Sequence, residues 1–206
     1  MRQLLAALLC VLALSSGSVR ADLMEDVDYV RIAARAVPDA RRIEVIEFFY
    51  YGCGACYRFA PYLQQWLARK PADVDFRHEP ALRRAAWIPL TRLYHSLREL
   101  GLLPQLHSEV YRAIHEQDRG LQTREEMTEW VKAHGADAAA FEQLLISDKM
   151  LIATQRSRDM TIEYGVRNTP SMVVDGRFLT SGALLGDIAR LPAVLDELVE
   201  LARATR

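Results

Sequence analysis

The chain has 206 residues, 50% of them hydrophobic and 26% charged, with a formal net charge of −1 at pH 7. That length suits one sizeable core or a domain carrying a large insertion. A balance so close to neutral gives no electrostatic reason to expect nucleic-acid or membrane-surface binding.

Residues 1–21 read as a secretory leader. Arg2 supplies the positive start, Leu4 to Leu14 is an unbroken apolar run of 11 residues, and Val19-Arg20-Ala21 fits an A-x-A-like cleavage site. The run is too short to span a bilayer. Cys10 lies within it after Leu9, unlike a lipoprotein attachment site, and is expected to leave with the leader. The mature chain then begins near Asp22 with a net charge of −3 and meets an oxidising compartment.

Residues 22–42 form a mixed entry segment, with a first strand expected over 29–34 and a turn at Pro38-Asp39. Residues 43–50 are β-branched and aromatic, interrupted only by Glu44 and Glu47, as in a central strand covered on both faces. Gly52 ends this strand. Cys53 and Cys56 follow, and Phe59, Leu63, Trp66 and Leu67 then take up helical spacing, so the cysteines fall at a helix N-terminus. There the unpaired N–H groups and the helix dipole favour a thiolate, which makes Cys53 the expected nucleophile. Cys56, one turn further in, is the expected resolving thiol.

A lone C-x-x-C is also half of a zinc site. The mature chain offers no third cysteine, and His78, His95, His107, His115 and His134 contain no H-x3-5-H pair, so neither a metal nor another cofactor is expected. A purely structural disulfide across four residues would close almost no loop and stabilise little, which leaves chemistry as the better use of the pair.

Residues 74–78 alternate as a further strand, giving β-α-β with parallel strands and the cysteines at the carboxyl edge of the sheet. From 87 to 164 the period is helical. Pro89, Gly101 and Pro104 bound the first helices, Thr123-x-x-Glu126 is a capping box, Gly135 is a stop, Asp137 is a cap, and a last helix runs from about 149 to 164. Asp175-Gly176 between strand-like residues 172–174 and 177–180 predicts a two-residue hairpin. A final helical stripe covers 184–203, kinked or restarted at Pro192.

Glu47-Phe48-Phe49 ahead of Cys53-x-x-Cys56-Tyr57-x-Phe59, with Thr169-Pro170 before a strand far downstream, resembles the thioredoxin superfamily and, within it, the DsbA-type periplasmic thiol oxidases. The 113 residues between Cys56 and Pro170 match that type in length, and the resemblance spans nearly the whole mature chain. It implies an α/β thioredoxin fold, β-α-β then β-β-α, in which residues 22–86 and 165–206 form the thioredoxin-like part and 87–164 an inserted all-helical subdomain. It further implies that Thr169 and Pro170 form a cis-proline loop that pairs with substrate backbone, a mode tolerant of many sequences. Glu47 matches an acidic residue beneath the active site; burial of such a carboxyl raises its pKa and suits it to relay protons to Cys56.

The chain departs from the family pattern at Gly54-Ala55, where Pro-His is commonest, and at Ala60, where an acidic residue is usual. Without the histidine donor, the Cys53 pKa is expected to be less depressed and the protein less oxidising than Pro-His relatives. The implied activity is disulfide formation in reduced exported proteins by a periplasmic monomer, reoxidised by a DsbB-type quinone-linked membrane partner. The alternative is a reductase or isomerase kept reduced by a DsbD-type partner. A third reading is a binding module whose groove of Tyr50, Tyr51, Tyr57 and Phe59 holds unfolded peptides without turnover.

Overall fold

The computed structural model describes residues 23–206, so the expected leader and its Cys10 lie outside the described residues. At its centre is β2 (Ile43–Phe49), every residue of which is buried. It pairs in parallel with β3 (Val74–Pro80), Ile43 opposite Val74, and antiparallel with β4 (Ser171–Val174). The sheet is completed by β5 (Phe178–Ser181) and β1 (Val30–Arg31) in the order β1-β5-β4-β2-β3. The first strand is much shorter than the expected 29–34, because only Val30 and Arg31 find ladder partners, Leu179 and Phe178, on β5.

Side chains alternate across the sheet. Ile43 and Val45 of β2 pack with Met172 and Val174 against α1 (Gly54–Arg69) and α8 (Leu191–Ala204), through Phe59, Leu63, Trp66, Leu195 and Leu198. Ile46, Phe48 and Val173 face the other way, onto Met160 and Tyr164.

Between β3 and β4 the chain makes α2 (Ile88–Glu99), α3 (Leu103–His115), α4 (Arg124–Ala133), α5 (Ala138–Leu145) and α6 (Asp148–Glu163). The caps read from sequence are formed: Thr123 and Glu126 make a reciprocal capping box, and the Asp137 carboxylate accepts from the N–H groups of Ala139 and Ala140. Leu90, Leu93, Val110, Trp130 and Phe141 from these helices join Phe49, Tyr51 and Cys56 in one apolar cluster. The helical insertion is therefore packed onto the cysteine-bearing end of the sheet. The terminal stripe is divided into α7 (Gly182–Leu185), a 3-10 turn (Ile188–Arg190) capped by Asp187, and α8, with Pro192 in its first turn where a missing N–H costs nothing. Among the described residues no helix is long and apolar enough to cross a membrane.

The β4–β5 hairpin turns on Asp175 (φ 54°) and Gly176 (φ 62°), both left-handed as a type I′ turn requires. A Cβ on Gly176 would stand 2.6 Å from the Arg35 carbonyl oxygen, whereas Gly135, at φ +79°, has nothing within 4 Å. Gly176→Ala is expected to cost roughly 2–4 kcal/mol, the left-handed penalty plus a backbone clash, and Gly135→Ala only about 1 kcal/mol. Denaturant unfolding of the two variants checks the order.

Candidate active site

β2 ends in a tight turn in which the Cys53 N–H donates to the Tyr50 carbonyl at 2.9 Å. The Tyr50 ring lies over Gly52 so closely that a Cβ there would fall 2.5 Å from it, and it stacks on Trp87 at 4.1 Å and 5°. Cys53 is the N-cap of α1, in extended conformation, and its sulfur accepts the Cys56 N–H at 3.4 Å. The sulfur thus occupies the position where a helix presents unpaired donors, in place of the usual capping oxygen.

Across the gap stands the loop before β4, where the Thr169–Pro170 peptide bond is cis. The Cys53 thiol donates to the Thr169 carbonyl at 3.3 Å. Four of the residues read from sequence, Cys53, Cys56, Thr169 and Pro170, therefore meet at one edge of the sheet although Cys53 and Thr169 are 116 residues apart.

The two sulfurs have opposite electrostatics. Cys53 is half-buried, and hydrogen bonds from the Cys56 thiol first, then from Thr169 and from the N–H groups of Cys56 and Ala55, hold its pKa at about 5 against burial. The carbonyl contact at 3.3 Å belongs to the protonated thiol; once ionised, the sulfur can only accept, so the Thr169 contribution to a low pKa comes from its side chain. Cys56 is 1% exposed, and burial, followed by its hydrogen bond to Cys53 and the charges of Cys53 and Glu47, pushes its thiol well above the ordinary value of 9.0.

Glu47 lies on the same side of β2 as Phe49, and it is 3% exposed. Its carboxylate is shut off from solvent and meets no arginine among the described residues. It contacts His78 Nδ1 at 2.6 Å, directly opposite on β3. The His78 ring packs 4.5 Å from that of His107, and Tyr51 Oη bonds His107 Nδ1 at 2.9 Å. Burial, with a smaller contribution from His78, pushes His107 down to about 3, so it is neutral at physiological pH. His115 Nε2 bonds the Tyr51 carbonyl at 2.7 Å, and its ring is stacked on Tyr57. Sequence reasoning passed over His78, His107 and His115 because it tested them only as metal ligands; the signal was the fixed offset between Glu47 and His78 in a parallel strand pair. No group of three or more His, Cys, Asp or Glu side chains among the described residues is placed to hold a metal ion.

The aromatic groove does not exist as expected. Tyr51 (1% exposed) and Phe59 (0%) are core residues in two different clusters, since a buried strand end and a helix stripe both point inward. Of the four, Tyr50 and Tyr57 are half-buried. A cleft of about 780 Å³ does open beside the cysteine pair, bounded by Ala55, Trp87, Thr169, Pro170 and Ala183.

A helix-capping thiolate paired with a buried thiol, facing a proline loop on a thioredoxin fold, defines a dithiol–disulfide oxidoreductase. Residues 88–190 match the family model of the DSBA-like thioredoxin domain. The thiol:disulfide interchange protein DsbA of Azotobacter vinelandii is 33% identical over 90% of this chain and 87% of its own, and that of Pseudomonas aeruginosa 30% identical over 98% and 96%. Among solved structures, P. aeruginosa DsbA aligns with a TM-score of 0.81 at 30% identity, covering 86% of this chain and 93% of that one. The DsbA oxidoreductase of Xylella fastidiosa aligns with a TM-score of 0.78 at 31% identity, over 86% of this chain and 96% of its own. The chain belongs to the DsbA family of thiol:disulfide oxidoreductases, on the α/β thioredoxin fold with an inserted helical region.

The depressed Cys53 pKa has a thermodynamic counterpart. Between about pH 5 and its ordinary 9.0, the unfolded dithiol chain binds a proton at this site that the folded one has released, so stability of the reduced protein rises with pH across that window and is lost as pH falls through about 5. His95 and His107, both pushed to about 3 by burial, add a slope of the same sign below 6.5. Cys53→Ser is therefore expected to lower the slope of the stability–pH profile of the reduced protein throughout about pH 5 to 9 while leaving the histidine contribution below 6.5 in place, as read by urea midpoints.

Proposed function

We propose that the protein oxidises reduced exported proteins in the periplasm, with Cys53 as the exchanging sulfur and Cys56 as the resolving one. A substrate thiolate attacks the Cys53 sulfur of the Cys53–Cys56 disulfide and expels Cys56, which takes up a proton. A second substrate thiol then attacks the substrate sulfur of the mixed disulfide and expels the Cys53 thiolate. One substrate disulfide forms, and two electrons pass to the cysteine pair. Thr169 and Pro170 hold the incoming backbone as an added strand. A DsbB-type quinone-linked membrane protein accepts the electrons and restores the disulfide.

The observation that carries this direction is the asymmetry of the two thiols. A Cys53 pKa of about 5 stabilises the reduced form and makes Cys53 a good leaving group, and both favour accepting electrons. The reductase or isomerase alternative needs the opposite poise. Equilibration of the purified protein with glutathione buffers is expected to give a reduction potential above the glutathione couple and below that of a Pro-His relative measured alongside. A value well below the glutathione couple would replace the oxidase reading with the alternative.

Glu47 is proposed to exchange the Cys56 proton. Its support is a buried carboxylate whose charge acts on Cys56, linked to His78, a ring whose side chain keeps 24% of its surface exposed and offers a way out for the proton. Glu47→Gln is expected to change the pH dependence of Cys56 reactivity in stopped-flow alkylation of a Cys53→Ser background. An unchanged profile would remove Glu47 from the mechanism.

A further inference from the structure

Three arginines line the cleft beside the cysteine pair. Arg83 and Arg84 sit between β3 and the 3-10 turn that leads into α2, and Arg167 sits in the loop before Pro170. All three are exposed, and none of their guanidinium groups makes a hydrogen bond or ion pair with any described residue. This sets them apart from Arg77 and Arg177, which are paired to buried carboxylates elsewhere in the fold. No acidic side chain among the described residues lines the cleft. Asp187, next in sequence to the lining Ile188, is spent on capping the Ala189 N–H at 2.9 Å.

The cleft is continuous with the reacting centre, because Ala55, Thr169 and Pro170 belong both to its wall and to the cysteine site. A substrate strand laid against Thr169 must therefore carry its flanking residues past the arginines. Guanidinium groups that have no internal partner, on a concave surface of one sign, bind carboxylates in paired hydrogen bonds and concentrate negative charge at the site.

Building on the thiol-exchange reading above, we propose that this cleft is a specificity site for an acidic segment of the substrate. It selects polypeptides with aspartate or glutamate within a few residues of the reacting cysteine. Backbone pairing at Thr169 supplies affinity without sequence preference, and Arg83, Arg84 and Arg167 supply the preference.

The test uses the oxidised protein and three dithiol peptides of equal length, with Glu, Gln or Lys flanking the same cysteines. Second-order rate constants are corrected for each peptide's own thiol pKa, since flanking charge shifts it. At low ionic strength the Glu peptide is expected to react about tenfold faster than the Gln peptide, and the Lys peptide slower than both. The Glu-to-Gln ratio should fall towards one in about 1 M salt. It should fall likewise in the triple variant Arg83→Gln, Arg84→Gln, Arg167→Gln.

A ratio near one in the parent protein at low salt would overturn the proposal, as would a preference that survives in the triple variant. The salt series on the parent stands alone if the variant fails to fold. Failure to oxidise even the Gln peptide would instead overturn the oxidase reading, so the two failures are distinct.

Discussion

The site depends on one constraint, that a buried strand must hand over to a helix within four residues. β2 is buried along its whole length, so its end is fixed in the core on every side. α1 begins at once, with Cys53 as its cap. The turn between them holds only because Gly52 leaves room for the Tyr50 ring. From that junction follow the exposed donors at Cys53, the shielding of Cys56 one turn later, and the place where the proline loop must arrive. The helical insertion serves the same junction, since its core closes on Phe49, Tyr51 and Cys56.

Carboxylates inside the sheet are the second theme. Glu44 and Glu47 sit on opposite faces of β2, and each finds its partner on β3: Arg77 at 2.9 Å and His78 at 2.6 Å. On the Glu44 side the polar chain continues through the partly exposed Arg77 to the buried Glu79, then by Ser157 to His95 in the core beneath α2 and α6. Both glutamates thus satisfy the rule that a buried polar group is hydrogen-bonded, but through different kinds of partner. Arg77 ties Glu44 to Glu79 in one bridged set, whereas His78 leads from Glu47 towards the surface, with 24% of its side chain exposed.

Features set by neighbouring residues were legible in the sequence. The β2 strand, the cysteine-capped helix, the capping box at Thr123, the Asp175-Gly176 turn and the restart at Pro192 all rest on contacts within a few positions. Thr169 and Pro170 came to the site through family resemblance, because nothing local says that a loop 116 residues away will face Cys53. What escaped was long-range register and side-chain direction. Ile43 opposite Val74 places His78 on Glu47, yet the strand pattern alone leaves that alignment open. Tyr51 and Phe59 looked like groove residues by composition and proved to be core by orientation. The first strand shrank because its pairing depends on how far β5 extends beside it.

The stack of Tyr50 on Trp87 has a consequence in the optical behaviour of the protein. Of the three tryptophans, Trp66 and Trp130 are enclosed in the core, and Trp87 alone is half-buried, in the wall of the cleft that runs past the cysteine pair. Its indole is held flat against the ring that roofs the Gly52 turn, so it shares the electrostatic surroundings of Cys53 while remaining open to whatever enters the cleft. The molecule carries a natural chromophore at its own reacting edge, and emission from that ring reports on occupancy and charge there against a background of two indoles that solvent does not reach.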